Sequence, residues 1–184
     1  MVAEAGRGLV IVLTGEGKGK TTSALGQAMR AVGQGLRVAF VQFVKARGAG
    51  EHEAAKRLAP ELQIHVKGLG FVVPGQDPSP EAHRAAAREA LALVRACLCG
   101  GQCEMVVADE ILSAVGLGLL GREDVAALLD ARPPGVHLVL TGRGAWDDLV
   151  ARADLVTEMR SVKHPHDTGV GAQPGVEFCR GEGA

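Results

Sequence analysis

The sequence predicts a single α/β domain, a mostly parallel β-sheet with helices on both of its faces. Three observations predict it. Short apolar, β-branched runs alternate with amphipathic stretches of helical period along most of the chain. The first of these runs passes through a glycine-rich turn straight into a helix. At 184 residues the chain is long enough to cover a sheet on both faces, and is sized for one domain. The domain is expected over 1–178, with 179–184 as a frayed tail.

Leu9-Val10-Ile11-Val12-Leu13 opens the pattern as a strand apolar on both faces. After the turn, Ala24, Leu25, Ala28, Met29 and Val32 recur at helical spacing, and Gly33 and Gly35 offer a stop. Between them lies Thr14-Gly15-Glu16-Gly17-Lys18-Gly19-Lys20-Thr21-Thr22. Glycines at a strand–helix junction let the backbone turn tightly, so that successive N–H groups converge on an anion. The helix N-terminus adds partial positive charge, Lys20 a full one, and the Thr21 hydroxyl suits Mg²⁺. The usual phosphate-loop pattern has four residues between its first glycine and the Gly-Lys pair; counting back four from Gly19 puts Thr14 in the first glycine's place. The expectation is a nucleoside triphosphate site on a P-loop NTPase-like (RecA-like) sheet.

A second strand is expected over 37–43, a short helix over about 51–58 and a third strand over 63–66. Residues 67–77 read as a loop, yet Leu69, Phe71, Val72 and Val73 make it unusually apolar. Such a loop either packs on the core or offers a surface to a second, apolar substrate. Ser79-Pro80-Glu81 starts a helix, with Ser79 as N-cap and Pro80 at the first helical position, running to about Cys99 before Gly100-Gly101. Met105-Val106-Val107-Ala108-Asp109 is a buried strand ending in a carboxylate, with Glu110 next. A helix over 122–131, a strand over 136–141, the turn Gly142-Arg143-Gly144, a short helix near 147–153 and a strand over 155–159 complete the alternation. From Arg160 to Phe178 the pattern is polar and irregular.

Composition narrows the partners. Basic and acidic residues number 20 and 21, for a net charge of -1, so no basic track for nucleic acid is present. Aromatics at 3% argue against base-stacking platforms. No apolar run reaches membrane-spanning length, and residues 9–13 are too short for a signal peptide; a cytoplasmic setting is expected. Cys97, Cys99, Cys103 and Cys179 lack the two-residue spacing of zinc pairs, and reduced, partly buried thiols are expected.

Ligands of parallel α/β sheets bind beyond the C-terminal strand ends. The phosphate loop, Gln42, Asp109-Glu110 and Thr141-Gly142-Arg143 all fall there and should share one crevice. Mg²⁺ takes few protein ligands, so Thr21, Asp109 and phosphate oxygens suffice to hold it, or Mn²⁺ in its place. Glu110 either completes the metal shell or polarises water. Arg143, in its glycine-flanked turn, can reach a phosphate with a two-pronged donor pair. His164-Pro165-His166-Asp167 looks like a metal cluster, but the proline turns the two rings apart; a histidine contacting ribose or phosphate is expected there instead.

These residues carry a resemblance. Residues 14–22, Val41-Gln42-Phe43-Val44-Lys45, Gly70-Phe71, Asp109-Glu110-Ile111, Leu140-Thr141-Gly142-Arg143 and Leu155-Val156-Thr157-Glu158-Met159-Arg160 occur in order. Val162-Lys163-His164-Pro165, Asp167, Gly169-Val170, Ala172-Gln173 and Gly175-Val176-Glu177-Phe178 follow. Together they resemble the P-loop-type ATP:corrinoid adenosyltransferases, over nearly all of 9–178. The resemblance implies transfer of the 5′-deoxyadenosyl group of ATP to Co(I) of a reduced corrinoid, with triphosphate released, in adenosylcobalamin biosynthesis or salvage. It implies Lys20, Thr21, Glu110 and Arg143 as the residues around the reacting phosphates. Gly15, Glu16, Gly17, Lys18, Gly19, Thr22, Arg30 and His164 would complete the ATP contacts. Phe71, and Val73 where relatives usually carry Trp, would face the corrin. A homodimer and a flavoprotein reductase as electron source are implied too. The chain departs from the usual pattern at Val73, at Leu112-Ser113 where an aromatic is common, and at Gly171 where Lys is common. These departures bear on the corrin side and leave the ATP side nearly whole. Two other readings stay open on the residues alone: a small P-loop kinase or ATPase acting at the γ-phosphate, and a non-catalytic ATP sensor.

Overall fold

The alternation of strand and helix persists in three dimensions. A computed structural model describes residues 6–45, 48–70 and 79–177. The chain runs β1 (Val10–Thr14), α1 (Lys20–Val32), β2 (Val38–Gln42), α2 (Gly50–Ala55), β3 (Leu62–Val66), α3 (Pro80–Cys99), β4 (Met105–Asp109), α4 (Ile111–Gly116), α5 (Arg122–Ala131), β5 (His137–Thr141), α6 (Asp147–Arg152) and β6 (Leu155–Glu158), with a final 3₁₀ turn at Pro165–Thr168. Expected boundaries agree to within a few residues. One helix was not legible. The segment of α4, Ile-Leu-Ser-Ala-Val-Gly, is short and has no helical polar stripe to announce it. The tail over 179–184, Phe71 and Val73 lie outside the described residues.

The sheet has the order β3-β2-β4-β5-β1-β6. Every pair in it is parallel. Strand side chains alternate between faces, so each strand feeds two cores. Val12, Val41, Val106, Ala108, Leu138 and Leu140 point to one face, where α3, α4, α5 and α6 cover them with Ala90, Val94, Ile111, Leu128 and Leu149. Ile11, Leu13, Phe40, Val107 and Val139 point to the other, beneath Ala24, Ala28 and Ala31 of α1 and Ala55 of α2. Three alanines on α1, all buried, let this helix lie close against the sheet. At the opposite end from the strand C-termini, the Arg37 guanidinium and backbone N–H both donate to the Glu104 carboxylate, which joins the starts of β2 and β4. That arginine holds the Glu104 carboxyl down at about 2.

The period of two also sets up the site. Gln42, Asp109 and Thr141 each lie two residues beyond an apolar residue of the α1 face: Phe40, Val107 and Val139. Register puts Gln42 beside Asp109, and Ala108 beside Leu140, one step before Thr141. Three apolar columns therefore end in three buried polar side chains directly under the first turn of α1.

Candidate active site at the strand ends

The phosphate loop joins β1 to α1 and rests against the end of β6. The Gly17 N–H donates to the Met159 carbonyl at 2.8 Å. Gly15 has φ +100, and a Cβ there would lie 2.3 Å from the Met159 carbonyl oxygen; one on Gly17 would lie 2.6 Å from the Arg160 carbonyl carbon. Backbone on both sides leaves no room for side chains. Thr14, standing where the usual pattern has its first glycine, is the last residue of β1 and has no positive φ, so a side chain fits there. Gly15→Ala is expected to distort the loop, lowering ATP affinity at least about tenfold and stability by ~1–3 kcal/mol. Calorimetric ATP titration beside a thermal melt checks this, and wild-type affinity in the variant would show that the loop does not hold the nucleotide.

Lys20, the first residue of α1, is buried. Its ammonium donates to the Gly15 carbonyl at 2.7 Å and the Gly17 carbonyl at 3.0 Å. An ammonium has three protons, so one more is available to an anion in the loop. Burial lowers its pKa, opposed chiefly by the Glu110 carboxylate. The first turn of α1 carries no acidic residue, which leaves its N–H dipoles uncompensated and suited to an anion.

Asp109 is the hub. It is fully buried. Its carboxylate accepts from the Thr141 hydroxyl at 2.8 Å, the Thr21 hydroxyl at 3.0 Å and the Gln42 amide at 3.1 Å. Burial pushes its pKa up to about 6, with the neighbouring Glu110 charge adding to the rise and the Thr141 and Gln42 hydrogen bonds opposing it. Thr141 is itself held, because its oxygen accepts from the Glu110 N–H at 2.8 Å.

Glu110 follows in left-handed backbone, φ +64, uncommon for a residue other than glycine. Its carboxylate accepts from the Ser113 hydroxyl, and Ser113 Oγ in turn accepts from the Arg143 N–H at 3.2 Å. The Arg143 guanidinium, exposed, pairs with Glu16 at 3.2 Å across the mouth of the loop. Gln42 has a further partner: its Oε1 lies 2.7 Å from His52 Nε2.

The crevice expected from topology thus unites the loop, Gln42, Asp109, Glu110, Thr141 and Arg143. Glu16, Lys18 and Thr22 lie around the loop, all three exposed. Arg30 is elsewhere, in the last turn of α1, ten residues or ~15 Å of helix from Lys20. His164 lies in the C-terminal segment that follows β6, with Nε2 2.8 Å from a Glu177 carboxylate oxygen and Nδ1 accepting from the His166 N–H. Ser113 and His52 escaped sequence reasoning. Ser113 lies in the unforeseen α4, and His52 sits in an exposed-looking run of charges with no periodic signal. Cys97 and Cys103 are half-buried, and burial raises both thiols; Cys99, against expectation, is exposed.

Among the described residues no three His, Cys, Asp or Glu side chains are grouped to cage a metal. The Thr21 hydroxyl and Asp109 carboxylate instead offer two hard oxygens 3.0 Å apart, a donor set that fits a cation taking its remaining ligands from phosphate and water.

Comparison with known proteins bears on this arrangement. The sequence profile of the family described as ATP:corrinoid adenosyltransferase BtuR/CobO/CobP matches residues 6–178. The chain is 41% identical over 173 residues to a corrinoid adenosyltransferase of Pseudomonas aeruginosa, covering 94% of this chain and 84% of that one. It is 39% identical over 177 residues to a corrinoid adenosyltransferase of Escherichia coli K12, covering 96% and 88%. Among solved structures, flagellar accessory protein FlaH of Methanocaldococcus jannaschii superposes with TM-score 0.55 at 12% identity, covering 83% of this chain and 71% of that one. The KaiC-like protein PH0186 of Pyrococcus horikoshii does so at 0.50 and 18%, covering 83% and 73%. Those two speak to the fold alone. With the profile spanning the sheet, the loop and the C-terminal segment together, the chain belongs to the ATP:corrinoid adenosyltransferase family.

Proposed function

We propose that this chain transfers the 5′-deoxyadenosyl group of ATP to Co(I) of a reduced corrinoid, in adenosylcobalamin biosynthesis or salvage. The observation that carries the chemical reading is the convergence of Lys20, the Thr21–Asp109 pair and the start of α1 on the phosphate loop. In this reaction the cobalt electron pair forms a bond to the ribose C5′ while the C5′–O5′ bond breaks, and its electrons leave on the triphosphate. The nucleophile is the substrate itself, so the protein supplies position and charge rather than a base. The site suits that division. Both carboxylates are engaged by hydroxyl or amide donors, which holds them in place.

Lys20 and the amides of Gly15 and Gly19 stabilise charge growing on the leaving triphosphate, Gly17 holds the loop's shape through its N–H to Met159, and Lys18, Thr22, Glu16 and Arg143 stand at the loop's mouth. Thr21 and Asp109, with Glu110 beside them, would hold Mg²⁺ or Mn²⁺, which would supply positive charge to screen the phosphates. Arg30 and His164 are assigned to ATP, and Phe71 and Val73 to the corrin. The reading extends to a cytoplasmic homodimer supplied with electrons by a flavoprotein reductase. No described helix is long and apolar enough to cross a membrane.

The test combines the chain with ATP, Mg²⁺, cobalamin or cobinamide and a strong reductant, followed by visible absorbance. A light-sensitive Co–C product is expected. Release of γ-phosphate with the corrinoid unalkylated would favour a kinase or ATPase instead.

A further inference from the structure

Gln42 is fully buried, and its amide has two ends that must both be satisfied. The NH₂ end donates to Asp109 at 3.1 Å. The carbonyl end lies 2.7 Å from His52 Nε2. A histidine can donate from Nε2 only if that nitrogen carries the proton, and its other nitrogen decides this. His52 Nδ1 lies 3.2 Å from both the Gly48 and the Ala49 backbone N–H groups, so it accepts. The ring is thereby fixed with its proton on Nε2, aimed at Gln42. Polarity runs one way along the whole line: two backbone N–H groups, His52, Gln42, then the carboxylate that also receives Thr21. The Lys45–Glu51 ion pair, 2.6 Å long and half-buried, ties Lys45 to α2, the helix that bears His52.

We propose that His52 is a positioning residue that, through Gln42, holds the Asp109 carboxylate in line with the Thr21 hydroxyl for metal-bound ATP. The inference rests on the proposed ATP–metal reading of that pair. The physical reason is the buried amide. With its carbonyl satisfied, Gln42 can keep its NH₂ on Asp109. Without the His52 donor, that carbonyl is an unsatisfied buried acceptor, and the amide must turn or shift to find another. Either movement loosens one of the three donors on Asp109, and outer partners of this kind typically change metal affinity or activity by about 10–100-fold. A competing, purely local role exists, since Nδ1 also closes the turn at Gly48 and Ala49.

Two substitutions separate these roles. His52→Gln can place an NH₂ near the lost Nε2 and keep the donor toward Gln42, but it gives up the acceptor for the turn. His52→Asn does the reverse. Binding of Mn²⁺ in the presence of ATP is read by electron paramagnetic resonance. Thermal melts and the Mg²⁺ dependence of turnover accompany it. His52→Asn is expected to need about tenfold more Mn²⁺ for half-occupancy, with its Tm lowered by a few degrees for the unsatisfied Gln42 carbonyl, while His52→Gln stays within about twofold of wild type in Mn²⁺ binding. Half-saturating Mg²⁺ should rise in His52→Asn more than kcat falls. Wild-type Mn²⁺ binding in His52→Asn, or an equal loss in His52→Gln, overturns the proposal in favour of the turn. If His52→Asn does not fold, Gln42→Met is read in its place; it should show the same tenfold weakening, and wild-type binding there is also contradictory. A bound Mn²⁺ signal that persists unchanged in Asp109→Asn overturns the metal reading itself, and this proposal with it.

Discussion

Lys20→Ala should lower kcat/KM for ATP by about 10³-fold while the protein stays folded. The activity loss follows from what the side chain does. Its ammonium is a full charge in a buried loop, where a preorganised donor to developing negative charge is worth about 10²–10³ in rate. With triphosphate as the leaving group, none of that stabilisation is replaced by water. The modest effect on folding follows from opposing terms. The variant gives up hydrogen bonds to the Gly15 and Gly17 carbonyls, each worth ~1 kcal/mol. It also removes a buried charge whose pKa is lowered by desolvation, which is a cost of the folded state. A net change near ~1 kcal/mol moves Tm by about 2–4 °C in a domain of this size. Steady-state kinetics beside a melt decides the matter. Turnover surviving the substitution would mean the triphosphate does not lie in the loop.

Asp109→Asn should separate function from stability in the opposite direction. Activity is expected to fall by about two orders of magnitude or more, because the carboxylate that faces Thr21 loses its charge. In metal-free buffer containing a chelator, however, the variant should melt at a higher temperature than the wild type at neutral pH. Asp109 is raised to about 6, against ~3.9 for an exposed carboxylate. Between those two values the folded state keeps a proton that the unfolded state releases. Its contribution is therefore fully present below about pH 4 and is lost as pH rises through about 6. Asparagine has no charge to bury, so the variant's advantage should be small at pH 4, grow across that window and level off above it, at ~3 kcal/mol. Melts at about pH 4 and pH 7.5 test the sign. A variant less stable than wild type at the higher pH would mean that the three donors on Asp109 outweigh the cost of burying its charge.

Much of this site could be read from the sequence because two periodicities reinforce each other. An apolar strand ending in Asp109, another ending in Thr141 and a third ending in Gln42 must bring those residues to one edge if all strands are parallel. The α1 alanines then dictate which face they meet. Lys20 and Thr21 are fixed by the helix that the glycines open. What could not be read depends on contacts without a local signature. His52 meets Gln42 only because α2 lies beside the end of β2, and Ser113 meets Glu110 and Arg143 only because a short apolar segment winds into α4. The pairing of Glu16 with Arg143 joins residues from two loops whose approach no pattern encodes. Arg30 shows the converse. Its place on the helix was clear, but the phosphate loop and Arg30 occupy opposite ends of α1, so its link to ATP comes from family likeness and not from geometry.

The most direct test is the fate of the phosphates. ³¹P NMR of an anaerobic reaction with ATP, Mg²⁺ and pre-reduced Co(I) corrinoid should show intact triphosphate, one for each Co–C bond formed. ADP and inorganic phosphate in that spectrum, with the corrinoid unchanged, would contradict attack at C5′ and, with it, the loop's role as the cradle of a leaving triphosphate.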